Sequence, residues 1–252
     1  MLEELATQAF WIGLLKIIGV NIVLSGDNAV VIALAARSLP AKQQKLAIFW
    51  GAGAAVVLRI ILTVFAVALL SLPWLKIIGS LLLFWIGIKL LVPEDDGDDI
   101  NASEHLLTAI KTILIADLVM SLDNVIAVAA AAGGSLTLLI LGLAISIPLV
   151  VFGATLLVHL MDRYPIIITI GAGLIGWVAG EMLVTDPALE AWLTGYGVTF
   201  VESKPHLGPV SLELVAGAIG VAIVVIWGLW LAKRAVAGRS SNPETEPGTR
   251  NS

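Results

Sequence analysis

The stretch NIVLSGDNAVVIA at residues 21–33 has a second copy, DLVMSLDNVIAVA, at residues 117–129. The copies share the tetrad S-x-D-N at a constant offset of 96 residues, which places Ser25, Asp27 and Asn28 on Ser121, Asp123 and Asn124. Further matches, at an offset of 92 residues, place Pro73, Gly79, Trp85 and Leu91 on Pro165, Gly171, Trp177 and Leu183. Because both sets of matches occur in the same order, we predict an internal duplication.

The composition of the chain identifies its solvent. Of the 252 residues, 59% are hydrophobic and 13% are charged, and the mean hydropathy is +1.01. Ordinary soluble domains are about 45–50% apolar and about 25% charged, so the lipid bilayer is the expected environment and partner. The net charge of −5 argues against nucleic-acid binding, and the absence of cysteine excludes disulfides, thiol catalysis and thiolate metal sites.

Seven apolar runs approach the length of about 20 residues that a membrane-spanning helix needs. They cover residues 10–36, 46–70, 74–92, 106–132, 135–158, 165–184 and 214–232. We therefore predict an all-α polytopic membrane protein in a single domain, with repeats at about 7–92 and 106–185 and an added helix at 214–232. Because each repeat has three helices, the second must enter from the opposite face, which makes an inverted repeat with sites near the midplane.

Basic residues lie mainly on one side of these predicted spans, namely Arg37, Lys42, Lys45, Arg163, Lys233, Arg234, Arg239 and Arg250. The positive-inside rule then predicts an outside N-terminus and a cytoplasmic C-terminus, in the bacterial inner membrane. The acidic loop at 93–105 is expected on the cytoplasmic side. The polar tail at 238–252 is expected to be disordered.

Four charged residues lie deep in the predicted spans: Asp27, Arg59, Asp117 and Asp123. Each costs about 2.5–3.5 kcal/mol at a helix centre, so they must pair, face water or bind an ion. An ion-pair network alone is a weak source of stability, which favours a functional role. Arg59 is a candidate partner for Asp117 or for an emptied site, where it would compensate charge.

Two further charged residues are repeat equivalents near the ends of their spans, Lys89 and Glu181. A lysine at such a position can extend its ammonium to the headgroups. A gating or proton-relay role is the functional alternative, chiefly for Glu181. Inversion of the repeats places the two residues at opposite faces, so we do not expect them to pair with each other.

The duplicated tetrad supplies an all-oxygen ligand set. The predicted metal-binding residues are Asp27, Asn28, Asp123 and Asn124, with Asn21, Ser25, Asp117 and Ser121 as secondary candidates. Oxygen ligands favour Mg²⁺, Ca²⁺ or Mn²⁺, so a transported hard divalent cation is expected and no resident cofactor.

Adjacent Asp and Asn side chains point about 100° apart on a helix, so local unwinding is needed for them to converge on one ion. Gly26 permits this in the first copy, whereas Leu122 leaves it open in the second.

At these residues the sequence resembles the TerC family of integral membrane proteins, in particular its short YjbE-like branch. The resemblance rests on S-G-D-N at Ser25–Asn28, S-L-D-N at Ser121–Asn124 and G-W-V-A-G-E-M at Gly176–Met182, and it covers roughly residues 7–185. Members are described as metal-ion transporters, most often associated with manganese efflux. The resemblance thus implies Mn²⁺ as the exported ion and the two Asp-Asn pairs as its site.

Other classes of membrane protein remain as alternatives. An amino-acid or small-solute exporter of related fold could use the carboxylates to carry protons. An intramembrane aspartyl protease also places two carboxylates on two helices, but G-x-G-D is absent here because Leu24 and Leu122 occupy the relevant positions. A retinal-type pump needs a lysine in the last helix, and none lies in 214–232. We therefore predict a transporter rather than an enzyme.

Overall fold

A computed structural model describes residues 8–65, 72–92, 102–133, 135–201 and 204–240. These residues form nine helices and three short strands. The helices are α1 Gln8–Leu24, α2 Gly26–Ala36, α3 Ala41–Val64, α4 Leu75–Leu91, α5 Ala102–Ala132, α6 Leu136–Arg163, α7 Ile166–Val184, α8 Pro187–Gly195 and α9 Leu212–Ser240. The strands are β1 Thr199–Val201, β2 Lys204–Leu207 and β3 Val210–Ser211.

The helices confirm a helical polytopic membrane fold, but not the predicted count of seven spans. In the described parts of the chain, five helices are long and apolar enough to cross a bilayer, and the bent pair of α1 and α2 makes a sixth. The helix α4 has 17 residues, or a length of about 26 Å, which is at the lower limit for a span. The seventh crossing therefore stays a prediction.

Several predicted boundaries differ from the structure, since α3 begins at Ala41 rather than at 46 and α6 ends at Arg163 rather than at 158. The helix α5 begins at Ala102, inside the loop predicted at 93–105, and α9 continues past 232 to Ser240. The acidic run at 94–99 and the tail at 241–252 lie outside the described residues. These differences extend helices into polar sequence. Hydropathy gives no signal there, and helix propensity decides where each helix begins or ends.

A small antiparallel sheet between α7 and α9 was not anticipated. Its strand order is β1-β2-β3, with Phe200 opposite Pro205 and His206 opposite Ser211. Strands of two to four residues are too short to show an alternating hydrophobic pattern, which is why the sequence did not indicate them. We call the end of the bundle that carries α8 and this sheet the sheet end.

The buried carboxylate of Asp186 joins two helices at the sheet end. It accepts hydrogen bonds from the backbone amides of Ala188 (2.7 Å) in α8 and of Trp74 (3.0 Å) and Ile77 (3.1 Å) at the start of α4. Trp74 adopts a left-handed backbone conformation with φ of 72°. One side chain therefore satisfies amides at two helix N-termini, which would otherwise lack partners.

The core forms around α2, whose residues are mostly small or β-branched. Eight of its eleven residues are buried, and it packs against α5, α6 and α7. Around it, α1 packs on α5 and α6, α3 packs on α5, and α4 packs on α7. The residues next to the S-G-D-N tetrad therefore lie inside the bundle, whereas many large apolar side chains face outward, as expected in lipid.

The helices α7 and α9 approach each other closely through small residues. A Cβ atom on Gly180 would overlap the carbonyl of Ala216, and one on Gly176 would lie 2.5 Å from the carbonyl oxygen of Gly220. Spacing of small residues by four positions on both helices is typical of close helix crossings in membranes. The G-W-V-A-G segment therefore has a packing role against α9.

We expect Gly180→Ala to destabilise this crossing, because the methyl group must displace backbone rather than a flexible side chain. Overpacking of this kind costs about 1–3 kcal/mol. The matched control is Gly173→Ala on the same helix, whose Cβ would meet Val221 at an ordinary 3.5 Å. Thermal unfolding in detergent should show a lower midpoint for Gly180→Ala alone, and equal midpoints for the two variants would contradict this packing.

Candidate functional site

The first copy of the tetrad interrupts its helix. The helix α1 ends at Leu24, α2 begins at Gly26, and their axes are bent by 49° around Ser25, whose φ and ψ are −106° and 3°. The backbone amide of Asn28, which would donate to Leu24 in a continuous helix, instead donates to Oδ1 of Asp27 at 2.8 Å. The unwinding predicted at Gly26 is therefore present, and it releases the carbonyl of Leu24.

Both asparagines of the duplicated motif converge on that released carbonyl. The Nδ2 group of Asn28 donates to the oxygen of Leu24 at 3.4 Å, and Nδ2 of Asn124 donates to the same oxygen at 3.3 Å. The side-chain oxygen Oδ1 of Asn28 is buried and has no hydrogen-bond partner among the described residues. Since a buried polar atom without a partner is costly, this oxygen is the clearest available ligand atom in the site.

The second copy of the tetrad is not interrupted. The helix α5 runs from Ala102 to Ala132 without a break, so Leu122 does not act as Gly26 does. The backbone of Asp123 lies in this helix, but its side chain is outside the described part of the structure. The carboxylate of Asp27 is half-buried. Within the described residues, no three histidine, aspartate or glutamate side chains are grouped closely enough to hold a metal ion.

A second polar cluster surrounds the guanidinium of Arg59 on α3. Nη2 donates to Oδ1 of Asp117 at 2.5 Å, and Nε donates to Oγ of Ser121 at 3.0 Å. Nη1 donates to Oδ1 of Asn21 at 2.8 Å and to Oγ of Ser25 at 3.1 Å. We call these five residues the Arg59 cluster. Arg59 is 3% exposed and Asp117 is 5% exposed, so the ion pair lies inside the bundle.

The Arg59 cluster has the same internal geometry in both copies of the repeat. In the first copy, Oγ of Ser25 donates to Oδ1 of Asn21 at 3.2 Å. In the second copy, Oγ of Ser121 donates to Oδ2 of Asp117, also at 3.2 Å. The four residues predicted as secondary ligands thus occur as two equivalent pairs, and one arginine binds both pairs.

The remaining predicted residues lie far from these two clusters in sequence and at opposite ends of α4 and α7. Gly79 lies against Met182 and Gly87 lies against Ile175, so these two helices are antiparallel. Lys89, near the end of α4, places Nζ 5.3 Å from the ring centre of Trp85. Glu181 is half-buried near the sheet end. This arrangement agrees with the expectation that Lys89 and Glu181 do not pair with each other.

Comparison with known proteins identifies the family of this chain. Residues 6–236 match the sequence profile of a family described as "Integral membrane protein TerC family". The chain belongs to the TerC family. No solved structure is significantly similar to it.

Three relatives of this TerC protein come from Bacillus subtilis (strain 168), each described as an uncharacterized membrane protein. YjbE is 44% identical over 188 residues, which are 75% of this chain and 86% of YjbE. YkoY is 28% identical over 194 residues (68% of this chain, 59% of YkoY), and YceF is 26% identical over 212 residues (80% and 76%). The family resemblance predicted from the two tetrads is therefore confirmed.

Two contributors to the architecture of this TerC protein were not identified from its sequence. The carbonyl of Leu24 is a backbone group, and nothing in the sequence marks it except the glycine two positions later. Asp186 did carry a signal, because an aspartate immediately before a proline is a typical helix N-terminal cap. Its second role, at the start of α4, depends on contact between distant segments.

Removing one member of the buried ion pair should destabilise the TerC protein more than removing both charges. Arg59→Gln leaves the Asp117 carboxylate buried without a cation, at a cost of roughly 3–5 kcal/mol. The double variant Arg59→Gln/Asp117→Asn removes both charges and should recover much of that loss. Unfolding midpoints in lipid nanodiscs measure both effects. If the double variant is no more stable than Arg59→Gln, the unpaired Asp117 charge is not the cause of the destabilisation.

Proposed function

We propose that this protein is a transporter that exports a divalent metal cation, with Mn²⁺ favoured, through a site formed by Asp27, Asn28, Asp123 and Asn124. The observation that carries the proposal is the broken helix at Ser25, where amides from both motif copies meet at one released carbonyl. Transporters typically bind their substrates where unwound helices expose backbone oxygens near the midplane.

The ligand chemistry supports a hard cation. The Oδ1 atom of Asn28 is a buried oxygen without a described partner, and the Asp27 carboxylate precedes it in the chain. The Leu24 carbonyl oxygen accepts both asparagine amides and so orients them rather than adding a free ligand. Amide and carboxylate oxygens are ligand types that Mg²⁺, Ca²⁺ and Mn²⁺ share, so the choice of Mn²⁺ rests on the family resemblance rather than on geometry.

The Arg59 cluster supports a role beside the ion rather than as a ligand. Four hydrogen bonds to Arg59 occupy Asn21, Ser25, Asp117 and Ser121. We therefore place these residues outside the primary ligand set, as a charge-compensated wall. Because Asp117 balances the charge of Arg59, this wall adds little net charge beside the site, and the motif carboxylates supply the attraction for a cation.

Packing between the halves of the chain supports the inverted-repeat arrangement. The first helix of repeat one, α1 with α2, packs on the second helix of repeat two, α6. Conversely, α3 of repeat one packs on α5 of repeat two, and the third helices α4 and α7 pack on each other. This reciprocal pattern is what a two-fold relation predicts. We propose seven spans in all, in the inner membrane, with the C-terminus in the cytoplasm and the sheet end outside.

Loss of a motif carboxylate should abolish flux without unfolding the protein. In proteoliposomes that contain a manganese-sensitive dye, Asp27→Asn should reduce Mn²⁺ flux by at least about tenfold, because it removes a charged ligand. Asp162→Asn, at an exposed aspartate near the end of α6, is the matched control and should transport normally. Flux by Asp27→Asn equal to that of the control would remove Asp27 from the site.

Cells that lack the protein should accumulate Mn²⁺ and grow poorly when it is added. Restoring the wild-type gene should correct both effects, whereas Asp27→Asn or Asp123→Asn should not. Manganese content and tolerance would be measured by elemental analysis and growth assays. Normal tolerance in the deletion strain would reject the manganese assignment. Vesicle flux of an amino acid instead of any divalent cation would favour the small-solute alternative.

A further inference from the structure

A polar cavity at the sheet end lies one helical turn from the second motif. Its lining residues come from the N-terminal part of α4, from α5, and from the segment that runs from the end of α7 through β1: Lys76, Ile126, Thr185, Asp186, Pro187, Glu190 and Phe200. Ile126 follows Asp123 by three positions in the continuous helix α5, a distance of about 4.5 Å along the helix axis. The cavity therefore adjoins the helical turn that carries the proposed ligands.

The dimensions and charge of the cavity suit a hydrated cation. Its volume is about 200 Å³. Six water molecules at about 30 Å³ each need about 180 Å³, so the cavity is about the size of a hexahydrated divalent ion. Its walls carry two carboxylates, Asp186 and Glu190, against one ammonium, Lys76, so the charge of the lining favours cations.

The walls of the cavity are held in place by the same contacts that organise the sheet end. The three backbone amides that donate to Asp186 fix the start of α4 and the start of α8 on either side of the cavity. Nζ of Lys76 lies 3.4 Å from Oγ1 of Thr185, which places the ammonium across the wall between α4 and α7. The positive charge of Lys76 therefore lies in the wall of the cavity.

We infer that this cavity is the water-filled vestibule through which the divalent cation passes between the Asp-Asn site and the solution at the sheet end, with Glu190 attracting the ion and Lys76 opposing its passage. The inference rests on the proposed function and adds the route and the charges that control it. It assigns Ile126 to an aqueous surface, although its side chain is apolar and lies within a membrane-spanning helix.

Cysteine labelling tests the vestibule without relying on transport, because the chain has no native cysteine. Thiols react as thiolates, which form in water and not in lipid. Ile126→Cys should react with an impermeant methanethiosulfonate at least about tenfold faster than the matched control Ile78→Cys. Ile126 and Ile78 are 57% and 63% exposed, but Ile78 is not part of the cavity lining. Thr185→Cys is a second reporter in case Ile126→Cys folds poorly.

The charge of the reagent tests the assigned roles. For the Ile126→Cys protein, Lys76→Gln should raise the ratio of cationic to anionic reagent rates by about two- to fivefold, and Glu190→Gln should lower it by a similar factor. Lys111→Gln, at an exposed lysine near the opposite end, should leave the ratio unchanged. Labelling of both lining cysteines as slow as that of Ile78→Cys would overturn the inference.

Flux measurements distinguish a failure of this inference from a failure of the proposed function. If wild-type protein carries Mn²⁺, modification of Ile126→Cys should block that flux. Fast labelling with full flux would show a water-filled cavity that is not on the route, and would also overturn the inference. If wild-type protein carries no divalent cation, the proposed function fails, whereas the labelling rates still report directly on the cavity.

Discussion

The ion pair between Arg59 and Asp117 is the constraint around which the bundle is organised. Each charge would cost about 2.5–3.5 kcal/mol at the centre of a spanning helix if it stood alone, so neither can be buried without the other. The guanidinium also has five N–H donors, and the hydrogen bonds to Ser121, Asn21, Ser25 and Asp117 occupy four of them. Satisfying them fixes the rotation and depth of α1, α3 and α5 relative to one another.

The same cluster shows how a duplicated sequence becomes an asymmetric structure. The two copies contribute equivalent pairs, Asn21 with Ser25 and Asp117 with Ser121, but only one arginine lies between them. The corresponding stretch of α6, residues 151–155, is uncharged. Only one copy has a break, at Ser25, so one released carbonyl receives amides from both copies. A repeated sequence motif thus builds a site with one interrupted side and one continuous helical side.

The sheet end adds contacts between helices that the two sequence repeats do not make. Asp186 connects α4 to α8, and the short sheet joins α8 to α9, which packs closely against α7 through glycines. These contacts hold the third helices of both repeats in register at one end of the bundle. They also line the polar cavity near the second motif.

The sequence by itself indicated the solvent, the repeated tetrad, a glycine that permits the break beside Ser25, and six of the ten polar residues that are buried in the described structure. Charge is so expensive in lipid that a charged side chain deep in an apolar span stands out in the sequence. Tertiary structure decided which of those residues meet. The partners of Arg59 lie 34 to 62 positions away in the chain, and the shared carbonyl of Leu24 is a backbone atom that every residue possesses. Such convergence depends on how helices rotate and cross, which local periodicity does not specify.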